Sequence, residues 1–254
     1  MECITREVNL KTVSELKVKI FADGADKAGM LEMYAKPFIQ GFTTNPTLMR
    51  KAGISNYIEF AQDILRAMPD RPISFEVFSD EFQEMEAQAK VIAGWGKNVY
   101  VKIPVTNTRG EVSYDLVERL SHSNVQVNVT AIMTLEQVRE VSAALKGGAP
   151  SCVSVFAGRI ADTGRDPVPV MVESLALMKA SPKAELIWAS PRELLNIFQA
   201  DEIGCHIITV TNDILKKLDG TGKDLGQFSL ETVKMFRNDA LAAGYRIETR
   251  PHDG

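Results

Sequence analysis

The chain has 254 residues, of which 45% are hydrophobic and 24% are charged, and its formal net charge at pH 7 is −4. This composition is typical of a globular protein, and the absence of any run rich in lysine and arginine argues against nucleic acid or an anionic membrane as a partner. No apolar run approaches the roughly 20 residues that span a membrane. The N-terminus also lacks the apolar segment of a signal peptide.

The few cysteines and histidines argue against a metal centre. Cys3, Cys152 and Cys205 are scattered without the spacing of metal ligands, and the three histidines are far apart in the sequence. Scattered cysteines of this kind favour a reducing compartment. We therefore expect a cytoplasmic protein that uses no metal ion and no cofactor.

Short apolar runs recur along the chain, with helix-like segments between them. The runs predicted as strands are residues 18–22, 39–44, 73–78, 98–105, 125–132, 152–158, 184–190 and 205–210. Strands that alternate with helices, without a linker, predict one α/β domain over residues 1–254, a parallel (β/α)8 barrel covering about 18–218. An open doubly wound sheet is the alternative. It is disfavoured because FADGAD, at the end of the first strand, lacks the GxGxxG spacing.

Several helices have recognisable ends or faces. Residues 81–96 place apolar side chains at helical spacing, and Thr134 is a suitable cap for the helix that follows it. A further helix is predicted over 229–244, capped by Ser229 and ended by Gly244. This C-terminal helix and the segment before the first strand lie outside the eight barrel units.

Seven of the predicted strands have a polar side chain on the strand or just after it. These residues are Asp23, Asn45, Glu76, Lys102, Asn128, Thr130, Ser154, Arg159, Ser190 and Arg192. The active sites of (β/α)8 barrels form where the carboxyl ends of the strands meet. We therefore expect these side chains to converge at one end of the barrel.

Most of these side chains also have an ordinary structural explanation. Asp23 and Asn45 precede helix-like segments, and each of them taken alone is better explained as a helix N-cap. The hydroxyl groups are compatible with hydrogen bonds to the backbone, and the arginines with surface ion pairs. The convergence of the whole set favours function over these separate explanations.

Glu76 and Lys102 are harder to explain structurally, because each interrupts an apolar strand. Their best structural explanation is a mutual buried ion pair, which is costly because desolvation of two charges can exceed their attraction. Loss of hydration disfavours the charged form of an amine, and a neutral amine attacks ketones to form a Schiff base.

Two carboxylates in different roles suit such chemistry without a metal ion. Glu76 suits the removal and return of water during formation of the imine from the Lys102 amine. Asp23 suits the abstraction of a proton from the hydroxyl group next to the carbon–carbon bond that breaks. The residues alone therefore favour an aldolase that forms a Schiff base.

Five segments of the chain resemble, in the same order and spacing, the transaldolase family, in particular its short bacterial members and the related fructose-6-phosphate aldolase. They are GFTTNPTLM, VYVKIPVT, NVTAI, SVFAGRI and WASPRE, and the resemblance covers about residues 18–244. The resemblance implies that Lys102 is the Schiff-base lysine and that Asp23 assists carbon–carbon cleavage. It also implies that Glu76 and Thr130 hold the catalytic water.

The same resemblance implies a set of substrate-binding residues. Three orient the lysine and the substrate hydroxyls and three bind phosphate: Asn45, Asn128 and Ser154, and Arg159, Ser190 and Arg192, respectively. Pro191 departs from the pattern, because family members often have a Phe-Arg pair after the serine. Since proline is tolerated at a first helical position, we expect the phosphate site to survive. The loop ADTGRDPVPVM after Arg159 is also unusual.

Two positions distinguish the branches of the family. Glu76 and Phe156 match transaldolases, whereas fructose-6-phosphate aldolase has glutamine and tyrosine there. The implied reaction, part of the pentose phosphate pathway, converts sedoheptulose 7-phosphate and glyceraldehyde 3-phosphate to erythrose 4-phosphate and fructose 6-phosphate. Alternatives are an aldolase that releases dihydroxyacetone, a transaldolase for a modified sugar phosphate, and a non-catalytic sugar-phosphate-binding barrel. The resemblance further implies a homo-oligomer, a pentamer or decamer.

Overall fold

The computed structural model describes residues 11–247, and its strands form a closed barrel. Strands β1 to β8 are Lys19–Asp23, Ile39–Thr43, Ile73–Glu76, Val99–Pro104, Val127–Ile132, Ser151–Val155, Ala184–Trp188 and Ile207–Thr211. All neighbouring strands are parallel, they follow chain order, and β8 pairs with β1. The predicted (β/α)8 barrel is therefore confirmed, and the observed strand ends lie within three residues of the predicted ones.

Helices connect the strands. Helices α1 to α11 are Lys27–Tyr34, Pro46–Lys51, Tyr57–Ala67, Phe82–Ala93, Tyr114–His122, Leu135–Leu145, Ala157–Ala161, Val168–Leu177, Leu195–Glu202, Asn212–Leu215 and Leu225–Ala242. The helix predicted within 81–96 is α4, which buries Met85, Ala89 and Ile92. The predicted Thr134 cap of α6 is confirmed, because its hydroxyl accepts a hydrogen bond from the Gln137 N–H at 3.2 Å.

The described residues form two compact units, 11–218 with the barrel and 219–247 with α11. Helix α11 begins four residues before the predicted start at Ser229, because the Asp224 carboxylate accepts from the Gln227 N–H at 2.8 Å and caps the helix there. Its end agrees with the prediction, since Gly244 follows it with a φ of 69°. Residues 1–10 and 248–254, which include most of the N-terminal extension and the polar tail, lie outside the described part, and the single-domain organisation stays a prediction.

The alternation of side chains along β4 separates the core from the barrel interior. Val99, Val101 and Ile103 are buried in the apolar cluster that the strands share with the surrounding helices. Because successive side chains of a strand point to opposite faces, Tyr100 and Lys102 face the interior. Strand β4, although apolar on its outward face, therefore places Lys102 inside the barrel.

A second apolar cluster fills the barrel interior. Phe21, Cys152, Ile187 and Ile207 are buried there, with Tyr100 packed against them. Gly41 makes room for this packing, since a Cβ atom at that position would lie 2.5 Å from the Phe21 ring. Within the described residues, no helix is long and apolar enough to cross a membrane.

Candidate active site

Lys102 lies between two polar residues on the neighbouring strands. The strand register pairs it with Glu76 on β3 and with Asn128 on β5. The Lys102 Nζ atom lies 3.1 Å from Glu76 Oε2 and donates to the Thr44 carbonyl oxygen at 2.9 Å. The ion pair considered from the sequence is therefore present, and only 9% of the lysine side chain is exposed. Transfer of one proton from the Lys102 ammonium to Glu76 would give a neutral amine beside a carboxylic acid.

Asn128 is held by hydrogen bonds from two other strands. Its amide group donates to the Ser74 hydroxyl at 3.0 Å, and its oxygen accepts from the Ser154 hydroxyl at 2.7 Å. All three side chains are buried. The two contacts hold the amide from both sides, so this part of the site is built before any substrate arrives.

Asp23, at the end of β1, has polar partners on both of its oxygens. The Thr43 hydroxyl donates to Oδ1 at 2.7 Å and also makes a short hydrogen bond with Thr209, while the Asn45 amide lies 3.4 Å from Oδ2. Burial raises the pKa of Asp23, and Lys102 and these donors only partly oppose that effect. A carboxyl group with a raised pKa is suited to exchanging a proton near neutral pH.

The N-cap interpretation holds for one of the two residues considered. Asn45 caps α2, because its side-chain oxygen accepts from the Leu48 N–H at 2.9 Å. Asp23 is not a cap, since α1 is capped by Asp26, whose carboxylate accepts from the Gly29 N–H at 2.7 Å. Asn45 therefore combines a structural role with a place beside the Asp23 carboxylate.

Glu76 is positioned by a tyrosine that sequence reasoning missed. The Tyr57 hydroxyl accepts from the Glu76 backbone N–H at 2.8 Å and donates to its carbonyl oxygen at 3.0 Å. These two bonds satisfy the backbone where β3 ends, and burial raises the pKa of Tyr57, so it stays a neutral donor. Nothing in the sequence marks Tyr57, because it stands at the first position of an ordinary amphipathic helix.

Thr130, on β5, has a buried hydroxyl group that makes no hydrogen bond within the described residues. Buried polar groups without a partner are rare in proteins. The strand is irregular at this point, because its register with β6 shifts between Val129 and Ile132 and the next residue, Ala131, has a φ of 63°. An irregular strand that leaves a hydroxyl free at the cavity wall is typical of a site that holds a water molecule or substrate.

The predicted phosphate-binding residues lie together after β6 and β7. Arg192 donates through Nε to Asp162 at 2.8 Å and through Nη1 to the Ser190 hydroxyl at 3.2 Å. Arg159 makes no ion pair within the described residues, and its guanidinium carbon lies 5.9 Å from the centre of the Phe156 ring. One arginine is therefore held in place and the other is available for an anion.

The expected role of Pro191 as a first helical residue is wrong. Helix α9 begins only at Leu195, and before it the Asn196 side-chain oxygen accepts from the N–H groups of Arg192 and Glu193 at 2.8 and 3.2 Å. The segment thus forms a turn of its own between strand and helix. That turn still directs Arg192 toward Ser190, so the proline at position 191 does not remove the arginine from the cavity.

The structure brings every predicted site residue to one cavity of about 490 Å³ at the carboxyl ends of the strands. The residues are Asp23, Asn45, Glu76, Lys102, Asn128, Thr130, Ser154, Phe156, Arg159, Ser190 and Arg192. Lys51 and Leu48 of α2 also line it, and sequence reasoning missed them. Their common location is established by the geometry, whereas the chemical role of each residue stays a prediction. Within residues 11–247, no cluster of His, Cys, Asp or Glu side chains is arranged to hold a metal ion.

Comparison with known proteins gives the family. Residues 20–248 match a model of the family described as "Transaldolase/Fructose-6-phosphate aldolase". The chain belongs to this family. A relative from Dehalococcoides mccartyi, named "Probable transaldolase", is 33% identical over 79% of this chain and 90% of its own length. A second relative with the same name, from a Thermoanaerobacter species, is 33% identical over 91% of this chain and 100% of its own length.

Solved structures support the fold alone. A 3-hexulose-6-phosphate synthase superposes with a TM-score of 0.55 and 14% identity over 77% of this chain and 90% of that chain. A 3-keto-L-gulonate-6-phosphate decarboxylase from Vibrio cholerae superposes with a TM-score of 0.53 and 10% identity over 77% of this chain and 88% of that chain. At such low identity, these matches establish the barrel of this family member and nothing about its chemistry.

We expect Asp23→Asn to raise the melting temperature at neutral pH. Because the pKa of Asp23 is higher in the folded than in the unfolded protein, ionisation destabilises the fold as the pH rises through that raised value. The neutral amide avoids this loss. The gain should therefore shrink as the pH falls below about 4 and vanish at about pH 3, where the wild-type carboxyl is protonated in both states.

Thermal unfolding of both proteins across this pH range is the measurement. The control is Glu118→Gln, at an exposed glutamate in the middle of α5, which should change little at any pH. A gain from Asp23→Asn that does not vary with pH would contradict the assignment of the raised pKa to burial of this carboxyl.

Proposed function

We propose that this protein is a transaldolase that transfers a dihydroxyacetone unit through a Schiff base on Lys102. The observation that carries the proposal is the Lys102 amine, buried in the cavity 3.1 Å from the Glu76 carboxylate and sharing that cavity with Asp23. The donor and acceptor are sedoheptulose 7-phosphate and glyceraldehyde 3-phosphate. The products are erythrose 4-phosphate and fructose 6-phosphate, as in the pentose phosphate pathway.

The first half of the reaction forms the imine. Transfer of a proton from the Lys102 ammonium to Glu76 gives a neutral amine and a carboxylic acid. The amine attacks the C2 carbonyl carbon of the ketose, and the resulting hydroxyl leaves as water after it receives the proton from Glu76. Thr130, whose hydroxyl is free and buried at the cavity wall, holds this water together with Glu76.

The second half breaks and remakes a carbon–carbon bond. Asp23 removes the proton of the C4 hydroxyl, the C3–C4 bond breaks, and its electron pair moves to the protonated imine and forms an enamine. The aldehyde product leaves. The enamine then attacks the carbonyl carbon of the acceptor, whose oxygen takes the proton back from Asp23, and hydrolysis frees Lys102. Asn128, held from two sides, orients the amine and the hydroxyls of the three-carbon unit.

The branch of the family follows from Glu76 and Phe156. Phe156 lines the cavity and has no hydrogen-bonding group, whereas a tyrosine there would bring a hydroxyl near the enamine. The names of the two relatives, "Probable transaldolase", support the same branch. An aldolase that releases dihydroxyacetone and a transaldolase for a modified sugar phosphate are the alternatives. A binding protein without activity is disfavoured, because a binding site gains nothing from a buried amine beside two carboxyl groups.

We also propose a homo-oligomer, as the resemblance implies, located in the cytoplasm, as the scattered cysteines favour. Leu225, Phe228 and Phe236 share one face of α11, and each side chain is more than half exposed. Exposed large apolar side chains in one patch favour burial against a protein surface, here that of a second copy. Sedimentation velocity of the intact chain tests this, and a monomer at micromolar concentration would contradict it.

Borohydride reduction in the presence of fructose 6-phosphate should leave a three-carbon adduct on Lys102 and inactivate the protein. Peptide mass mapping locates the adduct. Lys102→Ala should abolish both adduct and turnover, whereas Lys51→Ala, at another lysine of the same cavity, should still form the adduct. An adduct on any other lysine, or none, would refute the Schiff-base assignment. Chelators should have no effect on turnover.

Release of glyceraldehyde 3-phosphate from fructose 6-phosphate beyond one equivalent per active site should require erythrose 4-phosphate as acceptor. We expect Phe156→Tyr to raise cleavage without acceptor relative to transfer, because the added hydroxyl can protonate the enamine or position water. A coupled assay with and without acceptor measures both rates. An unchanged ratio would show that this position does not control the choice, and continuous product formation by the wild type without acceptor would favour the aldolase.

Arg159→Ala and Arg192→Ala should each lower kcat/KM for fructose 6-phosphate by roughly ten- to a hundredfold, the value of a charged hydrogen bond. With unphosphorylated fructose, they should change little, because the phosphate is absent. We expect the larger selective effect at Arg159. The exposed Arg139 on α6 provides the control Arg139→Ala, which should affect neither substrate. Equal proportional losses on both substrates would mean that the two arginines are structural.

A further inference from the structure

The predicted phosphate-binding residues Arg159, Ser190 and Arg192 form an anion site. The five-residue helix α7 contributes to this site through residues other than Arg159. Gly158 lies inside this helix, and Asp162 directly follows it, four residues later. Residues four apart share one face of a helix. That face lies against the Ser190–Arg192 segment, because Gly158 contacts the Ser190 backbone and Asp162 pairs with the Arg192 side chain.

Gly158 allows a close approach that no other residue permits. A Cβ atom at this position would lie 1.6 Å from the Ser190 carbonyl oxygen and 3.4 Å from Cγ of Arg192. The first of these neighbours is backbone, so it cannot rotate away as a flexible side chain would. Glycine inside a helix costs about 1 kcal/mol relative to alanine, so its presence here requires a packing reason. The reason is the contact with the Ser190–Arg192 segment.

Ser190 has an unusual backbone conformation at the point of this contact. Its φ is 60°, in the left-handed region that residues with a side chain rarely adopt. The preceding residue, Ala189, is fixed by a hydrogen bond from its N–H to the Val155 carbonyl oxygen at 2.8 Å, and its own carbonyl oxygen accepts from the Gly158 N–H at 3.4 Å. Strained residues persist only where their surroundings hold them, and here α7 forms part of those surroundings.

Asp162 fixes one edge of the Arg192 guanidinium group. Its two carboxylate oxygens accept from Nε and Nη2, and Nη1 donates instead to the Ser190 hydroxyl. A guanidinium group has five N–H donors in a planar arrangement, so the remaining hydrogens stay free for an anion. Arg159 has no such partner within the described residues. The Asp162 carboxylate therefore orients the Arg192 guanidinium group without using all of its N–H donors.

From these contacts we propose that Gly158 and Asp162 are positioning residues for the anion site, which set Ser190 and Arg192 relative to Arg159. The inference rests on the proposed function for the identity of the anion, a sugar phosphate. Neither residue touches the substrate. Their effect is to fix the spacing of three groups that come from two different strand ends, so that a phosphate meets all three at once.

Two variants and two probes test this positioning role. Gly158→Ala introduces the 1.6 Å contact, and Asp162→Asn removes the charge that orients Arg192. The first probe is the dissociation constant of inorganic phosphate, measured by calorimetry. The second is the rate of borohydride trapping of dihydroxyacetone on Lys102, which needs no phosphate. The KM and kcat for fructose 6-phosphate are measured as well.

Gly158→Ala should weaken phosphate binding and raise KM more than tenfold. Asp162→Asn should weaken phosphate binding and raise KM by about fivefold. Its effect is smaller than that of Gly158→Ala because an exposed ion pair contributes little free energy. Trapping of dihydroxyacetone should stay within about twofold of the wild type in both. The matched controls are Gly220→Ala, where a Cβ atom meets nothing within 4 Å, and Asp115→Asn on α5. Both should leave phosphate binding unchanged.

Three results would overturn the inference. Phosphate binding that is unchanged in Asp162→Asn, or tighter because the carboxylate competes with the anion, excludes the positioning role. So does an equal loss of phosphate binding and dihydroxyacetone trapping. If Gly158→Ala does not fold, Asp162→Asn decides alone. A wild type that binds phosphate but traps no dihydroxyacetone refutes the proposed Schiff-base function, and the phosphate measurements still decide the positioning role.

Discussion

The burial of one amine determines how the rest of the site is arranged. Lys102 reaches the barrel interior because it stands at an inward-facing position of β4, whose outward-facing residues are apolar. A buried charge needs a partner, and removal of water from both members of an ion pair can exceed their attraction. The Glu76 carboxylate and the Thr44 carbonyl oxygen provide that partnership on two sides. A costly arrangement of this kind is expected where the chain uses the group, and less so where it only stabilises the fold.

The fold could be predicted because its signals are local. Alternating and continuous apolar runs identify strands, and eight of them interleaved with helices leave few architectures other than a barrel. The convergence of the site followed from the same topology, since parallel strands place all their carboxyl ends together. Element ends were less reliable. The start of α11 is set by Asp224, a capping residue that the apolar pattern does not reveal, and the turn after Pro191 is set by Asn196.

What the sequence could not show are contacts between residues distant along the chain. Tyr57 supports Glu76, Thr209 supports Thr43, and Asp162 supports Arg192. No motif marks the first two, and the unusual loop that contains Asp162 does not reveal its partner. Each lies on a helix, a strand or a helix end, where its residue type is ordinary. Asn45 shows a different difficulty. The sequence offered a helix cap and a site residue as alternatives, whereas the one side chain both caps α2 and lies beside the Asp23 carboxylate. Residue type and spacing reveal candidate site residues more readily than the residues that hold those side chains in position.

The apolar packing inside the barrel has a consequence for the order of events. Phe21 and Ile207, with their neighbours, fill the interior on the side of Lys102 toward the beginning of the strands, and Gly41 allows that packing to be tight. A cavity closed at its base has a single mouth. For an enzyme that hands a fragment from one aldehyde to another, the departing aldehyde and the arriving one must use the same passage. In the proposed transfer, both aldehydes carry a phosphate and would meet the same three residues, Arg159, Ser190 and Arg192, so the first would have to leave before the second could bind.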